Sequence, residues 1–131
     1  MVFLDTALVI YLIEQPVGWG PKANACVSGH LANGERVAFS DLVRMECQVG
    51  PLKSGDARLL AKYIAFFESP DVQVLSILPT VCDRAARIRA QYGFRALDSL
   101  HLAAAVDYSC TRFVTNDARL KRFPDISVEV L

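Results

Sequence analysis

The chain is 131 residues long, which predicts a single domain (residues 1–131) with room for one hydrophobic core. A hydrophobic fraction of 53% and a mean hydropathy of +0.28 exclude a disordered tail. Formal net charge is zero, and no apolar run reaches the ~18 residues that a membrane span needs, so no membrane role is expected.

Val2 to Leu4 reads as a short buried strand, apolar on both faces, and Thr6 to Ile13 as a helix. Gln15 to Pro21 reads as a loop, with Pro21 opening a helix that runs to about Ala32 and stops at Asn33-Gly34. Arg36 to Ser40 is the second strand. Ser40 or Asp41 caps the next helix, which carries Glu46 and is expected to end at Gly50-Pro51. Gly55-Asp56 opens a helix to about Glu68 with the stripe Leu59, Leu60, Tyr63, Ile64 and Phe67. Val72 to Ile77 is the third strand, Pro79 to Tyr92 a basic amphipathic helix, and Leu97 to Tyr108 a helix whose alanine run implies burial. Arg112 to Thr115 is the fourth strand, Asp117 to Phe123 a short helix, and Ser127 to Val130 a last strand. Strands separated by helices predict an α/β fold with a mainly parallel sheet between helical layers.

Four acids stand at junctions of this pattern. Asp5 follows the first strand, Glu46 lies one turn into the helix after the second, Asp98 opens the alanine-rich helix, and Asp117 follows the fourth strand. In parallel sheets, ligands sit beyond the carboxyl ends of the strands, so these carboxylates are placed to converge. Convergent carboxylates repel one another and call for a hard divalent cation such as Mg²⁺ or Mn²⁺. Such a site supports phosphodiester hydrolysis, because the metal lowers the pKa of bound water and neutralises phosphate charge. Thr6, Thr115 and Asn116 are placed to bond waters or phosphate oxygens around the ion. Taken singly, Asp98 and Asp117 read equally well as helix caps and Glu46 as a surface residue; Asp5 is harder to dismiss, since a buried unpaired carboxylate is costly. His101 reads as a core histidine, His30 as a surface residue and Trp19 as a packed loop anchor.

The charges segregate along the chain. Residues 84–122 hold Arg84, Arg87, Arg89, Arg95, Arg112, Arg119, Lys121 and Arg122 against Asp98, Asp107 and Asp117, a hint of a polyanionic partner. Cys26, Cys47, Cys82 and Cys110 form no C-x-x-C pair, so neither a zinc scaffold nor a disulfide framework is expected, and free thiols fit a reducing cytoplasm. The opening residues lack the basic leader of a signal peptide.

Val2-Phe3-Leu4-Asp5-Thr6, Ser40 to Glu46, Leu97-Asp98-Ser99-Leu100-His101-Leu102-Ala103-Ala104-Ala105 and Val114-Thr115-Asn116-Asp117 together resemble the PIN-domain nucleases. The size is similar to that of the VapC toxins of prokaryotic toxin–antitoxin pairs. The resemblance covers essentially the whole chain and implies an α/β/α sandwich, Mg²⁺- or Mn²⁺-dependent ribonuclease activity, a homodimer and a small VapB-type antitoxin. It assigns Asp5, Glu46, Asp98 and Asp117 as metal ligands, with Thr6 and Thr115 beside them. Relatives often carry a further acid after the last of these; here Ala118, Arg119 and Leu120 follow. The antitoxin is expected to dock a helix near residues 55–68, because adjacent Phe66 and Phe67 cannot both face one core.

Two other classes of function compete with the nuclease. A receiver-type phosphate-accepting domain would need paired acids after the first strand and a lysine near the last; a haloacid-dehalogenase-type phosphatase would need a second Asp where Ala7 stands. A catalytically idle PIN-like binding module would keep the groove without turnover.

Overall fold

The structure is a computed structural model describing residues 1–131. Twelve elements follow in order: β1 (Val2–Leu4), α1 (Thr6–Glu14), α2 (Trp19–Ala32), β2 (Val37–Ser40), α3 (Asp41–Ser54), α4 (Ala57–Phe67), β3 (Val72–Leu75), α5 (Pro79–Tyr92), α6 (Ala96–Asp107), β4 (Arg112–Thr115), a 3₁₀ turn (Ala118–Arg122) and β5 (Ser127–Val130). All five strands are parallel, in the order β3-β2-β1-β4-β5. The fold is therefore an α/β/α sandwich around a parallel sheet, as the alternation of strands and helices predicts.

The sheet grows one way from β1 through β2 and β3, then the other way through β4 and β5. The reversal falls between β1 and β4, where crevices open at the carboxyl ends of the strands. Register fixes the two faces. Phe3 pairs with Phe113 and stacks on it, and both look toward α6, where His101 packs against Phe3. Alternation turns Leu4, Val114, Glu129 and Phe39 to the other face. There Phe39 meets Phe66 and Phe67 of α4, and Glu129 reaches α2. β1 is buried throughout, as a central parallel strand must be, and one continuous core of 29 buried hydrophobic residues spans the molecule.

Two local expectations need correction. α3 does not end at Gly50-Pro51; it runs to Ser54 with Pro51 buried inside it. Proline removes one helical hydrogen bond, but here its ring is buried in compensation, and the helix stops where Gly55 takes φ 70°. Asp56 caps α4, as the expected Gly55-Asp56 start implies, accepting a 3.0 Å bond from the Leu59 N–H. α2 begins at Trp19, two residues before Pro21, and turns tightly against Gln15. A Cβ on Gly20 would lie 2.8 Å from the Gln15 Cα, so only glycine fits that approach.

The aromatic pair on α4 also departs from expectation. Phe66 stacks on Phe39 at 5.6 Å while Phe67 meets the same ring edge-on at 5.5 Å. Both rings serve one core, because Phe39 presents a face to one and an edge to the other. Trp19 stacks on Tyr11 at 5.2 Å but keeps 38% of its surface exposed, so it is packed on one face only. No helix is long and apolar enough to cross a membrane.

Candidate active site

β1 and β4 deliver two acids across the switch point. The Asp5 N–H bonds the Val114 carbonyl at 3.0 Å, which carries the sheet ladder to the start of α1. Thr115 donates its hydroxyl to Asp5 Oδ2 at 2.7 Å, and the same hydroxyl oxygen accepts the Asp117 N–H at 3.1 Å. Fully buried Thr115 thus fastens the two acid-bearing turns together. Asp5 Oδ1 accepts the Thr6 N–H at 2.7 Å, capping α1.

Glu46 comes from α3 and is held by two donors on one oxygen. Thr6 donates its hydroxyl to Oε1 at 2.7 Å, and His101 Nε2 meets the same oxygen at 2.8 Å. Oε2 has no protein donor. His101 Nδ1 lies 3.2 Å from the Ser40 hydroxyl, whose oxygen also accepts the Leu42 N–H. This network assigns the proton to Nε2, with the Ser40 hydroxyl donating to Nδ1. His101 is buried, as its position in an apolar helix implies, but it is a polar member of the site and not a core filler.

Asp98 sits in the first turn of α6 without capping it; its Oδ2 accepts from Arg95 Nε at 3.0 Å. Asp117 caps the 3₁₀ turn through the Arg119 N–H at 3.0 Å and also pairs with the Arg119 guanidinium, 2.6 Å from Nη2. The capping and site readings of Asp117 therefore coexist. Asn116 spends its amide on the Tyr11 hydroxyl at 2.7 Å. Asp5, Thr6, Glu46, Arg95, Asp98, His101, Asn116 and Asp117 all line one cleft, while Thr115 lies beneath it.

The carboxylates share this cleft without forming a tight cage: no three of them bring oxygens within 4.8 Å of one another. Each instead has its own partner. The two arginines do so reversibly, since the side chains of Arg95 and Arg119 are 73% and 68% exposed. Asp5 alone has neither an arginine nor a histidine within ion-pair distance; Glu46 has the His101 ring.

Proton affinities follow these environments. Burial pushes the Asp5 carboxyl above its ordinary value, against the pull of His101 and the hydrogen bonds from Thr115 and Thr6; the charge of Asp98 adds a smaller upward push. Burial also pushes Glu46 up, but the hydrogen bonds from His101 and Thr6 outweigh it together and hold the carboxyl below its ordinary value. The Arg119 hydrogen bonds hold Asp117 low. Repulsion among the acids is thus present at Asp5 but is secondary to burial.

The donor set fits a hard divalent ion. It is dominated by carboxylates, with His101 already spent on Glu46 and Ser40, and half-buried Asp5 has no arginine beside it to compensate its charge. A second groove, sharing Arg95, Asp98 and Asp117 with the cleft, continues past Arg119 and Arg122. Sequence reasoning counted these arginines as a general basic excess and missed that Arg95 and Arg119 pair with the acids. Their i, i+3 and i, i+2 spacing to Asp98 and Asp117 was the available signal. Other members of the excess are structural: Arg84 pairs with Asp107, and Arg112 lies 3.6 Å from Glu129.

A family model for the PIN domain matches residues 2–126, and the chain belongs to the PIN-domain family. That membership replaces the receiver and dehalogenase readings. The fold is similar to that of VapBC2 from Rickettsia felis, solved bound to a promoter DNA fragment. The two share 21% identity with a TM-score of 0.76, over 99% of this chain and 98% of that one. A toxin–antitoxin complex from Klebsiella pneumoniae is similar at 19% identity and a TM-score of 0.76, over 96% of this chain and 95% of that one. VapC20 of Mycobacterium tuberculosis, a sarcin-ricin-loop-cleaving toxin, is similar at 14% identity and a TM-score of 0.74, over 96% and 98%. No curated protein matches the chain by sequence.

Proposed function

We propose that this PIN domain is an endoribonuclease that uses Mg²⁺ or Mn²⁺ and serves as the toxin of a VapBC-type pair. The observation that carries the reading is the junction of β1 and β4, where Thr115 ties Asp5 to the Asp117 turn and α3 and α6 add Glu46 and Asp98 to the same cleft. Asp5, Glu46, Asp98 and Asp117 would hold the metal. When bound, the ion supplies an acidified water and neutralises charge on the scissile phosphate.

The protein's own groups prepare that chemistry. Thr6 and His101 fix Glu46 through Oε1 and leave Oε2 free to accept a hydrogen bond from an attacking water. Thr115 holds Asp5 at the bottom of the cleft, and Asn116, anchored on Tyr11, edges it. Arg95, Arg119 and Arg122 line the adjoining groove, where an RNA backbone can displace Arg95 and Arg119 from their carboxylates. Arg95 and Arg119 would then hold phosphate, leaving Asp98 and Asp117 free as metal ligands.

The small antitoxin is the proposed partner. Met45, Val49 and Leu52 stand exposed on α3, and Leu52 also borders a groove with Leu60 of α4. This is near the expected helix, but the anchors are on α3, not at Phe66. A homodimer and a cytoplasmic setting complete the proposal; all four thiols are free. The test incubates partner-free protein with a diverse RNA pool in Mn²⁺ and in EDTA. Cleavage that persists in EDTA, or survives Asp98→Asn undiminished, overturns the metal mechanism. No cleavage by a metal-loaded, folded protein favours the idle module.

A further inference from the structure

We propose that Cys26, His30 and Glu129 form a second metal site, distinct from the acidic cleft, that takes Zn²⁺ or another late divalent transition ion. Cys26 and His30 are one turn apart on α2, on the same helix face, and Glu129 projects toward them from β5. The Cys26 Sγ lies 3.3 Å from Glu129 Oε1, and His30 Nε2 lies 2.9 Å from Oε2. One ligand atom from each residue falls within 4.8 Å of the other two, the only such trio of His, Cys, Asp and Glu in the chain.

Those separations match what an ion needs. Tetrahedral Zn²⁺, with bonds of ~2.0–2.3 Å, places its ligand atoms ~3.3–3.8 Å apart. The two short contacts run to different oxygens of Glu129, so closing from the 4.8 Å limit to that spacing takes a shift of up to about 1 Å. The ligand types select the metal: a thiolate and an imidazole favour Zn²⁺ over Mg²⁺ or Ca²⁺, which prefer oxygen alone. Three protein ligands leave a fourth position for water.

The neighbourhood accommodates the change of charge. The Cys26 thiol is held protonated, its pKa pushed to about 11 by burial and by the adjacent Glu129 carboxylate. Binding therefore releases the thiol proton to solvent and joins the sulfur to the ion in place of hydrogen. Arg112 Nη1 stands 3.6 Å from Glu129 Oε2 and can remain as an outer partner of that carboxylate. His30 is not the surface residue its sequence position implies; its side chain is only 16% exposed. None of the three ligands lines the acidic cleft. The ion would tie the last turns of α2 to β5, an edge strand paired on one side only.

Co²⁺ is the probe, because a cobalt–thiolate bond has a charge-transfer absorption that carboxylate ligands lack. The full chain is used with exposed Cys82 replaced by Ser, so that the remaining thiols are Cys26 and the buried Cys47 and Cys110. One equivalent of Co²⁺ should give the band, and one equivalent of Zn²⁺ should bleach it and raise Tm. Cys26→Ser should abolish the band. His30→Gln and Glu129→Gln keep the thiol but should weaken Co²⁺ by more than the ~10–100-fold that losing an outer partner costs. Adding Asp98→Asn should leave the band unchanged. The proposal is overturned if the parent shows no band, if the band survives Cys26→Ser, or if folded His30→Gln binds Co²⁺ as tightly as the parent. RNA cleavage is not part of this readout, so its absence would count against the nuclease reading alone.

Discussion

The acidic cleft and the Cys26–His30–Glu129 trio both gather ligating side chains, but they do so from opposite directions. The cleft draws its acids from four elements that end at one place, and their positions follow from the order of the strands. The trio takes two ligands from a single helix turn and the third from an edge strand. The cleft offers hard oxygen and keeps its charges apart, each on a local partner. The trio offers mixed sulfur, nitrogen and oxygen, with Cys26 and His30 each already bonded to Glu129. On the proposed readings, one would exchange metal, arginine and phosphate, and the other would hold one ion still.

The sharpest way to separate the two is activity. Asp5→Asn and Asp98→Asn should each lower metal-dependent RNA cleavage by on the order of 100-fold or more, whereas Cys26→Ser should cleave at the parental rate. Equal losses in all three variants would mean that the trio and the cleft act as one unit.

His101 gives the next largest effect. Removing its ring leaves Ser40 and Glu46 each short of a buried partner, which should cost roughly 1–3 kcal/mol in denaturant unfolding. The loss of orientation at Glu46 should slow cleavage as well. His101→Asn can restore one of the two bonds and should recover part of both. A His101→Ala protein as stable and active as the parent would show that the Ser40–His101–Glu46 chain positions nothing.

Arg119→Ala probes exchange within the cleft. Freed of its guanidinium, Asp117 should bind Mn²⁺ several-fold more tightly without RNA, and the logarithmic salt slope of RNA binding should become shallower by ~1. If metal affinity and salt slope both stay at parental values, the arginine is only a lid on the 3₁₀ turn.

The smallest expected effect is a pH dependence of the metal-free protein. The folded-state pKa of Asp5 is raised, mainly by burial, so the native state holds its proton more tightly than the unfolded chain. Its stabilising contribution is full below the unfolded value and is lost as pH rises toward and through the folded one. Glu46 and Asp117 have the opposite sign: their contribution is present above the unfolded values and lost as pH falls through the folded ones. In EDTA, Asp5→Asn should therefore melt at or above the parent at pH 7, with the difference vanishing near pH ~3. A variant melting well below the parent at pH 7 would make the Asp5 carboxylate a structural cap, retained for its bonds to Thr6 and Thr115.

The contrast between the two clusters also explains what the sequence could and could not tell. Asp5 and Asp117 were legible because each directly follows a short apolar strand, and a parallel sheet brings strand ends together. Thr115 was legible for the same reason. Pro51 misled because proline usually ends a helix, and nothing local shows that its ring will be buried. Phe66 misled because two adjacent aromatics look irreconcilable until a single ring, Phe39, offers them its face and its edge. His101 looked like core because its helix is apolar all around; only the approach of α3 supplies its partner. Glu129 is 103 residues from Cys26, and no spacing rule joins them. The sheet register alone turns that carboxylate toward α2.

The bond between Thr115 and Asp5 spans 110 residues of chain, and β4 reaches β1 only after every other strand but the last has been made. The acidic cleft is consequently absent from any chain not yet made through β4. On the proposed function, the nascent polypeptide would cut no RNA until Asp117 has emerged and β4 has docked beside β1. That closing step rests on contacts distant in sequence, which form slowly compared with local helices. On that same function, an enzyme organised this way would spare the message and the ribosome that are producing it, and the delay would give an antitoxin made beforehand time to be waiting.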